Sequence, residues 1–133
     1  MITLEEGVNL IWKAFNDMVG GEIYVKKIPS MKVTDIAKSI SNEEDYKIIG
    51  IRPGEKLHEQ MIGVEDAPYT YEYSDYYKIL PSINNWGSDP NRIGKGKLVE
   101  DGFTYRSDTN KEWMSIETLQ DWIFTNKNKI GNF

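Results

Sequence analysis

The chain has 133 residues, 39% hydrophobic and 12% aromatic, which is enough for one domain with a real core and speaks against intrinsic disorder. A formal net charge of -5 argues against a nucleic-acid module, which carries a basic patch. With no Cys and one histidine, His58, disulfide frameworks, thiolate metal sites and multi-histidine metal sites are excluded. No stretch approaches the roughly 20 apolar residues of a membrane span. The acidic start Met1-Ile2-Thr3-Leu4-Glu5-Glu6 does not read as a signal peptide, so a cytoplasmic location is expected.

Thr3-Leu4-Glu5-Glu6 reads as a capping box that opens a helix. Leu4, Val8, Ile11, Phe15 and Met18 then recur at three- and four-residue spacing on one face, and Gly20-Gly21 stops the helix. Glu22–Val25 reads as a short strand. Pro29-Ser30 opens a second helix, with Ser30 as its cap and Val33, Ile36, Ala37 and Ile40 facing inward. Tyr46–Ile51 reads as a second strand that runs out into the turn Arg52-Pro53-Gly54-Glu55. A short helix is expected next, burying Leu57, Met61 and Ile62.

Tyr69–Leu80 has the pattern of a hairpin centred on Ser74-Asp75. Residues 83–102, rich in Gly, Asn, Asp and Pro, read as one long loop of the kind that is usually functional or mobile. Phe103–Tyr105 reads as a last small strand. Ser115 caps a final helix that buries Ile116, Leu119, Trp122 and Ile123, and the polar end frays. The order of elements fits an α/β (α+β) module, taken as a single substrate-binding domain over residues 1–126 with a polar tail over 127–133.

Several kinds of chemistry are missing. Gly94-Lys95-Gly96 is half of a dinucleotide fingerprint, but no strand precedes it and no third Gly follows. No phosphate-cradling Gly-Lys-Ser/Thr loop occurs, and no Tyr is followed four residues later by Lys. A complete NAD-dependent enzyme is therefore not encoded in these residues.

The segment Arg52–Ile62 carries the most information. Arg52 lies at the carboxyl end of an expected strand, where ligands of open α/β sheets collect, and a guanidinium forks onto phosphate oxygens. Pro53-Gly54 lets backbone turn closely past a ligand, and Glu55 can accept hydrogen bonds from a pair of sugar hydroxyls. On composition alone, a surface turn with an Arg–Glu pair explains the same residues.

The stretch Arg52-Pro53-Gly54-Glu55-Lys56-Leu57-His58-Glu59-Gln60-Met61-Ile62 resembles the signature of the inverting UDP-N-acetylglucosamine 4,6-dehydratases, members of the extended short-chain dehydrogenase/reductase superfamily. Met1–Val8, Gly21–Val25, Ile28–Asp35 and Tyr105–Asn110 resemble the carboxy-terminal half of that family in the same order. The resemblance implies a substrate-binding portion used in bacterial surface-polysaccharide synthesis, without the Rossmann half that holds NADP and the catalytic Tyr and Lys.

By matching position, Arg52 would hold a UDP diphosphate and Glu55 the ribose hydroxyls. Ser30, Met31 and His58 are further substrate-binding candidates, although a helix cap explains Ser30 and a solvated side chain explains His58. No catalytic residue, metal or cofactor is expected on this chain. A freestanding interaction module, or the second half of another UDP-sugar epimerase or reductase, would use the same turn. Without a Rossmann partner, the edge of the 22–25 strand and one face of the first helix would be exposed, and self-association is expected.

Overall fold

Capping chemistry sets the start of the first helix. In the computed structural model, which describes residues 2–41 and 47–130, α1 spans Leu4–Asp17. Thr3 Oγ1 accepts the Glu6 N–H at 3.2 Å, and Glu6 Oε2 accepts the Thr3 N–H at 2.7 Å. β1 (Ile23–Lys26) and α2 (Val33–Ile40) follow. Then come β2 (Gln60–Ile62), β3 (Thr70–Glu72) and β4 (Tyr76–Ile79). The order closes with α3 (Pro90–Ile93), β5 (Lys97–Leu98), β6 (Tyr105–Arg106) and α4 (Ile116–Ile130).

The chain divides into two units. The sheet unit comprises Ile2–Ile28 and Gln60–Arg106. Its main sheet has the order β1-β4-β3-β5, antiparallel throughout, with Val25 opposite Tyr77 and Tyr71 opposite both Lys78 and Leu98. β2 and β6 form a second antiparallel ladder with an irregular register between Gln60 and Ile62. Val25, Ile62, Tyr77, Ile79 and Tyr105 make its core, with Tyr69, Val99 and Phe103 packed against them. The Tyr105 hydroxyl accepts the Ile28 N–H at 2.7 Å and donates to the Ile28 carbonyl at 2.9 Å, satisfying both backbone groups at once.

The helical unit comprises Pro29–Glu59 and the chain from Ser107 onward. There α2 packs on α4, whose Leu119 is fully buried. Ser115 Oγ accepts the Thr118 N–H at 3.2 Å, the cap read from the sequence. α4 continues to Ile130, through the start of the stretch read as a polar tail.

Several expectations are corrected. Lys32, not Ser30, is the N-cap of α2, and it makes no side-chain cap bond. Of the four residues expected to face inward from α2, only Ile36 is even half-buried. Tyr46 lies outside the described residues, and Lys47–Ile51 is exposed and irregular rather than a strand. A strand needs a neighbour for its backbone groups, and no described segment pairs with this one. The helix expected after Glu55 is absent as well. Leu57 is exposed, and Gln60–Ile62 is drawn instead into the ladder with β6, which buries Ile62.

The long loop is also not structureless. Asp89 Oδ1 accepts the Asn91 N–H to cap α3 at 2.9 Å, and β5 adds to the sheet edge. Buried Arg92 ties the loop to the first turn. Its Nη1 donates to the Gly20 carbonyl at 2.7 Å and pairs with the buried Glu22 carboxylate, and its guanidinium lies over the Trp86 ring.

Two charge clusters bolt α1 to the sheet. Lys13 Nζ donates to both Asp75 oxygens at 2.8 and 3.0 Å, and Lys26 adds a third contact at 3.2 Å. Lys78 Nζ and the Tyr24 hydroxyl both donate to Asp17 Oδ2 at 2.7 Å. Only 2% of the Lys78 side chain is exposed, with the Tyr24 and Tyr73 rings alongside its ammonium. Burial alone would lower the Lys78 pKa, but the bonds to Asp17 and Tyr73 outweigh it and raise it. Burial also pushes the Tyr76 hydroxyl up to about 12.

The Lys13 bond, with help from Lys26 and Ser74 against burial, brings Asp75 down to about 2. Its folded pKa lies below the ordinary value, so this pairing stabilises the fold above the ordinary carboxylate range and is lost as pH falls from about 4 towards 2. The urea midpoint of the wild type should therefore drop over that interval by more than that of Asp75→Asn. Asp17→Asn strands the buried Lys78 charge, and we expect it to cost about 2–3 kcal/mol in urea unfolding at neutral pH.

Candidate functional site

The Arg52–Glu55 turn is built by proline and glycine chemistry. Pro53 presets the first central position, and Gly54 takes φ 85°, a left-handed conformation that favours a residue without a Cβ. The Glu55 N–H donates to the Arg52 carbonyl at 3.0 Å and closes the turn. Glu55 Oε2 accepts the Arg52 N–H at 2.8 Å, while its Oε1 lies 3.6 Å from Arg52 Nε. One carboxylate therefore holds the backbone and stands beside the guanidinium. The Arg52 side chain is 73% exposed and forms no other ion pair among the described residues. The arrangement presents an exposed cation to solvent, able to donate to a planar or tetrahedral oxyanion.

The polar run Ser107–Asn110 organises the rest. Ser107 Oγ accepts the Glu59 N–H at 2.9 Å, and the Ser107 N–H donates to the Glu59 carbonyl at 2.8 Å. Asp108 Oδ2 lies 3.7 Å from His58 Nδ1, an ion pair whenever the imidazole is protonated. Asn110 Nδ2 donates to Ser30 Oγ at 3.2 Å, and its carbonyl accepts the Trp113 indole N–H at 2.7 Å. Ser30 also exchanges backbone bonds with this segment, donating to the Glu112 carbonyl at 2.8 Å and accepting the Met114 N–H at 2.9 Å.

These contacts separate the five residues singled out in the sequence. Arg52 and Glu55 are joined directly. His58 lies beside Asp108. Ser30 is buried and its hydroxyl is engaged by Asn110, while the neighbouring Met31 is half-buried. No hydrogen bond or ion pair among the described residues runs from the Arg52–Glu55 turn to Ser30. Lys26 and Lys27 are engaged by Asp75 and Glu72 in the sheet unit. Of the tyrosines over 69–77, Tyr73 and Tyr76 stack on each other at 4.4 Å between ring centroids.

The sequence reading missed Asp108 and Asn110 as positioning residues. The available signal was the density of short hydrogen-bonding side chains in Ser107-Asp108-Thr109-Asn110 just before a helix, the composition that bonds to nearby backbone.

Among the described residues no group of three or more His, Asp and Glu could hold a metal ion, and no helix is long and apolar enough to cross a membrane. A dinucleotide pyrophosphate needs a glycine-rich turn between a strand and a helix in a parallel sheet. Every ladder between the described strands is antiparallel. No such turn in a parallel sheet occurs among the described residues.

A family model described as polysaccharide biosynthesis protein matches residues 1–81, which include all five candidate residues. The chain is 47% identical over 127 residues to the UDP-N-acetylglucosamine 4,6-dehydratase (inverting) of Campylobacter jejuni subsp. jejuni serotype O:23/36 (strain 81-176), covering 92% of this chain and 38% of that protein. It is 31% identical over 83 residues to the UDP-glucose 4-epimerase of Rickettsia canadensis (strain McKiel), covering 59% of this chain and 24% of that protein. The chain thus spans about 38% of the length of the dehydratase relative, in its carboxy-terminal portion. Among solved structures, the X-ray structure of Pen from Bacillus thuringiensis superposes with a TM-score of 0.75 at 24% identity, covering 96% of this chain and 38% of that one. This likeness establishes the fold, one of mixed helices and antiparallel sheets.

Asn110 is the side chain through which the 107–114 segment grips buried Ser30. Asn110→Ala should destabilise the helical unit by about 1 kcal/mol in urea unfolding. It should also speed amide exchange at Ser30 and Met114 more than elsewhere.

Proposed function

The chain belongs to the polysaccharide biosynthesis protein family, and from that premise we propose that it is the UDP-N-acetylglucosamine-binding portion of a 4,6-dehydratase/5-epimerase in bacterial surface-polysaccharide synthesis. Arg52 holds the diphosphate and Glu55 accepts hydrogen bonds from the ribose hydroxyls. His58 lies one short step further along the same segment, and Ser30 and Met31 form a more distant wall.

The observation that carries this reading is the exposed guanidinium of Arg52, 3.6 Å from the carboxylate of Glu55 on a closed Pro-Gly turn. Glu55 can exchange its bond to the Arg52 backbone for ribose hydroxyls, while the guanidinium meets a dianion with two parallel N–H donors. The dehydratase name of the 47%-identical relative supports the choice of sugar.

The chain binds and orients substrate and does not catalyse alone. Oxidation at the sugar, loss of water and hydride return require NADP, for which these residues offer no seat. A dinucleotide-binding domain, on the same polypeptide or another, supplies it. On the same reading the chain works in the cytoplasm, and the lack among the described residues of a helix long and apolar enough to cross a membrane is consistent with this.

The similarity to a UDP-glucose 4-epimerase over 83 residues favours a second reading, in which the turn serves UDP in general and other residues select the sugar. Chemical-shift titrations with UDP, UDP-glucose and UDP-N-acetylglucosamine separate the two. Shifts should cluster at 50–58 with all three ligands, and those caused by the sugar should be larger with the N-acetylated one. Loss of two charge-assisted bonds in Arg52→Ala should weaken binding by about 10- to 100-fold, and Arg52→Lys should recover only part of it. No shifts at millimolar ligand would overturn a preformed nucleotide site on this chain.

A further inference from the structure

The hydroxyl of Ser30 carries a hydrogen for which the surrounding fold supplies no acceptor. Ser30 is 7% exposed, and its backbone is fixed on both sides by the Glu112 carbonyl at 2.8 Å and the Met114 N–H at 2.9 Å, a parallel bridge centred on Trp113. Among the described residues its side chain makes one hydrogen bond, to the Asn110 amide, with Asn110 Nδ2 3.2 Å from Ser30 Oγ.

An amide can meet a hydroxyl in two ways, because its oxygen and nitrogen have nearly the same shape. Turned one way, Asn110 donates to Ser30. Turned the other, it takes the Ser30 hydrogen. A second bond decides between them. The Glu112 N–H donates to Asn110 Oδ1 at 3.3 Å, and an N–H needs an acceptor at that end. A flipped amide would set two donors against each other there. The nitrogen end therefore faces Ser30, the Ser30 oxygen accepts, and the hydroxyl hydrogen is left for a different partner.

Other buried hydroxyls in the protein are satisfied within the fold. Thr70 Oγ1 donates to the Asp66 carbonyl at 2.8 Å, and the Tyr71 hydroxyl donates to the Gly87 carbonyl at 2.9 Å. A buried donor is costly to leave unmade, so the hydrogen of Ser30 points to an acceptor that arrives with a ligand.

On the reading of this chain as a binder of UDP-N-acetylglucosamine, we propose that Asn110 is a positioning residue that fixes the Ser30 hydroxyl as a donor to a carbonyl oxygen of the bound UDP-sugar. An oxygen without a hydrogen of its own suits a fixed donor. On that reading Arg52 takes the phosphate oxygens, which leaves the carbonyls of the uracil and of the N-acetyl group.

Asn110→Asp tests the polarity. It keeps an oxygen for the Glu112 N–H and sets a second oxygen against Ser30, which captures the hydroxyl hydrogen. Shift titrations of the full chain with UDP-N-acetylglucosamine should show Ser30→Ala and Asn110→Asp each weakening binding by about 5- to 10-fold, the value of one hydrogen bond. The double variant should bind no more weakly than Ser30→Ala, because the bond is lost once. Repulsion from the added charge alone would persist in the Ser30→Ala background and make the losses add. The same titrations with UDP identify the acceptor. Equal losses with both ligands assign the hydrogen to the uracil, and a loss confined to the N-acetylated ligand assigns it to the acetamido carbonyl.

Unchanged affinity in Ser30→Ala, with shifts at 50–58 intact, would overturn the proposal and leave the nucleotide reading standing. Additive losses in the double variant would do the same. A wild type that binds neither ligand would overturn both.

Discussion

The buried ammonium of Lys78 is the constraint from which the sheet unit follows. β4 runs through the sheet interior between β1 and β3, and a lysine there has no solvent for its charge. Left alone it would cost several kcal/mol. Asp17, the last residue of α1, answers it, and the Tyr24 hydroxyl from β1 bonds to the same carboxylate oxygen. The rings of Tyr24 and Tyr73 cover the stem and give the cation two electron-rich faces. A helix end, an edge strand and a central strand are thereby held by one charge.

That charge also sets the roll of α1. Burying the helix's apolar stripe against its own sheet would gain about 25 cal/mol per Å², but it would turn Asp17 and Lys13 out to solvent and leave Lys78 unpaired. The ion pairs win because the alternative strands a buried charge. What is left outside is the apolar stripe of α1.

In the helical unit, hydrogen-bonding side chains play the corresponding part. Ser107, Asp108 and Asn110 reach respectively to Glu59, His58 and Ser30, so that one short segment ties down two stretches far apart in the chain. The Arg52 turn lies on the first of these stretches. It carries its own closure through Glu55, so its geometry owes little to packing. A turn closed by its own residues keeps its shape whether or not anything is bound to it.

Much of this was legible in the residues. The capping box of α1, the hairpin around Ser74-Asp75, the Ser115 cap and the Arg52–Glu55 turn are local. Each is a matter of a few adjacent side chains and backbone groups, and each stands where its motif puts it. The failures share a cause. Lys47–Ile51 has the composition of a strand, but strand formation is a property of two segments. Gln60–Ile62 looked helical and became a strand because β6 was there to pair with it. Ser30 had the chemistry of a cap and spends it on Asn110 instead. The loop over 83–102 acquired order from Arg92, whose partners Gly20 and Glu22 are about seventy positions away in the chain.

The sequence alone determined the family and the local turns and caps, because these are carried by short runs of adjacent residues. Only the tertiary structure decided which face of α1 is outside, which carboxylate answers Lys78, and which side chains hold Ser30 and His58. Those outcomes turn on balancing buried charges and on pairing backbone across long separations, and neither can be evaluated until the distant partners have been brought together.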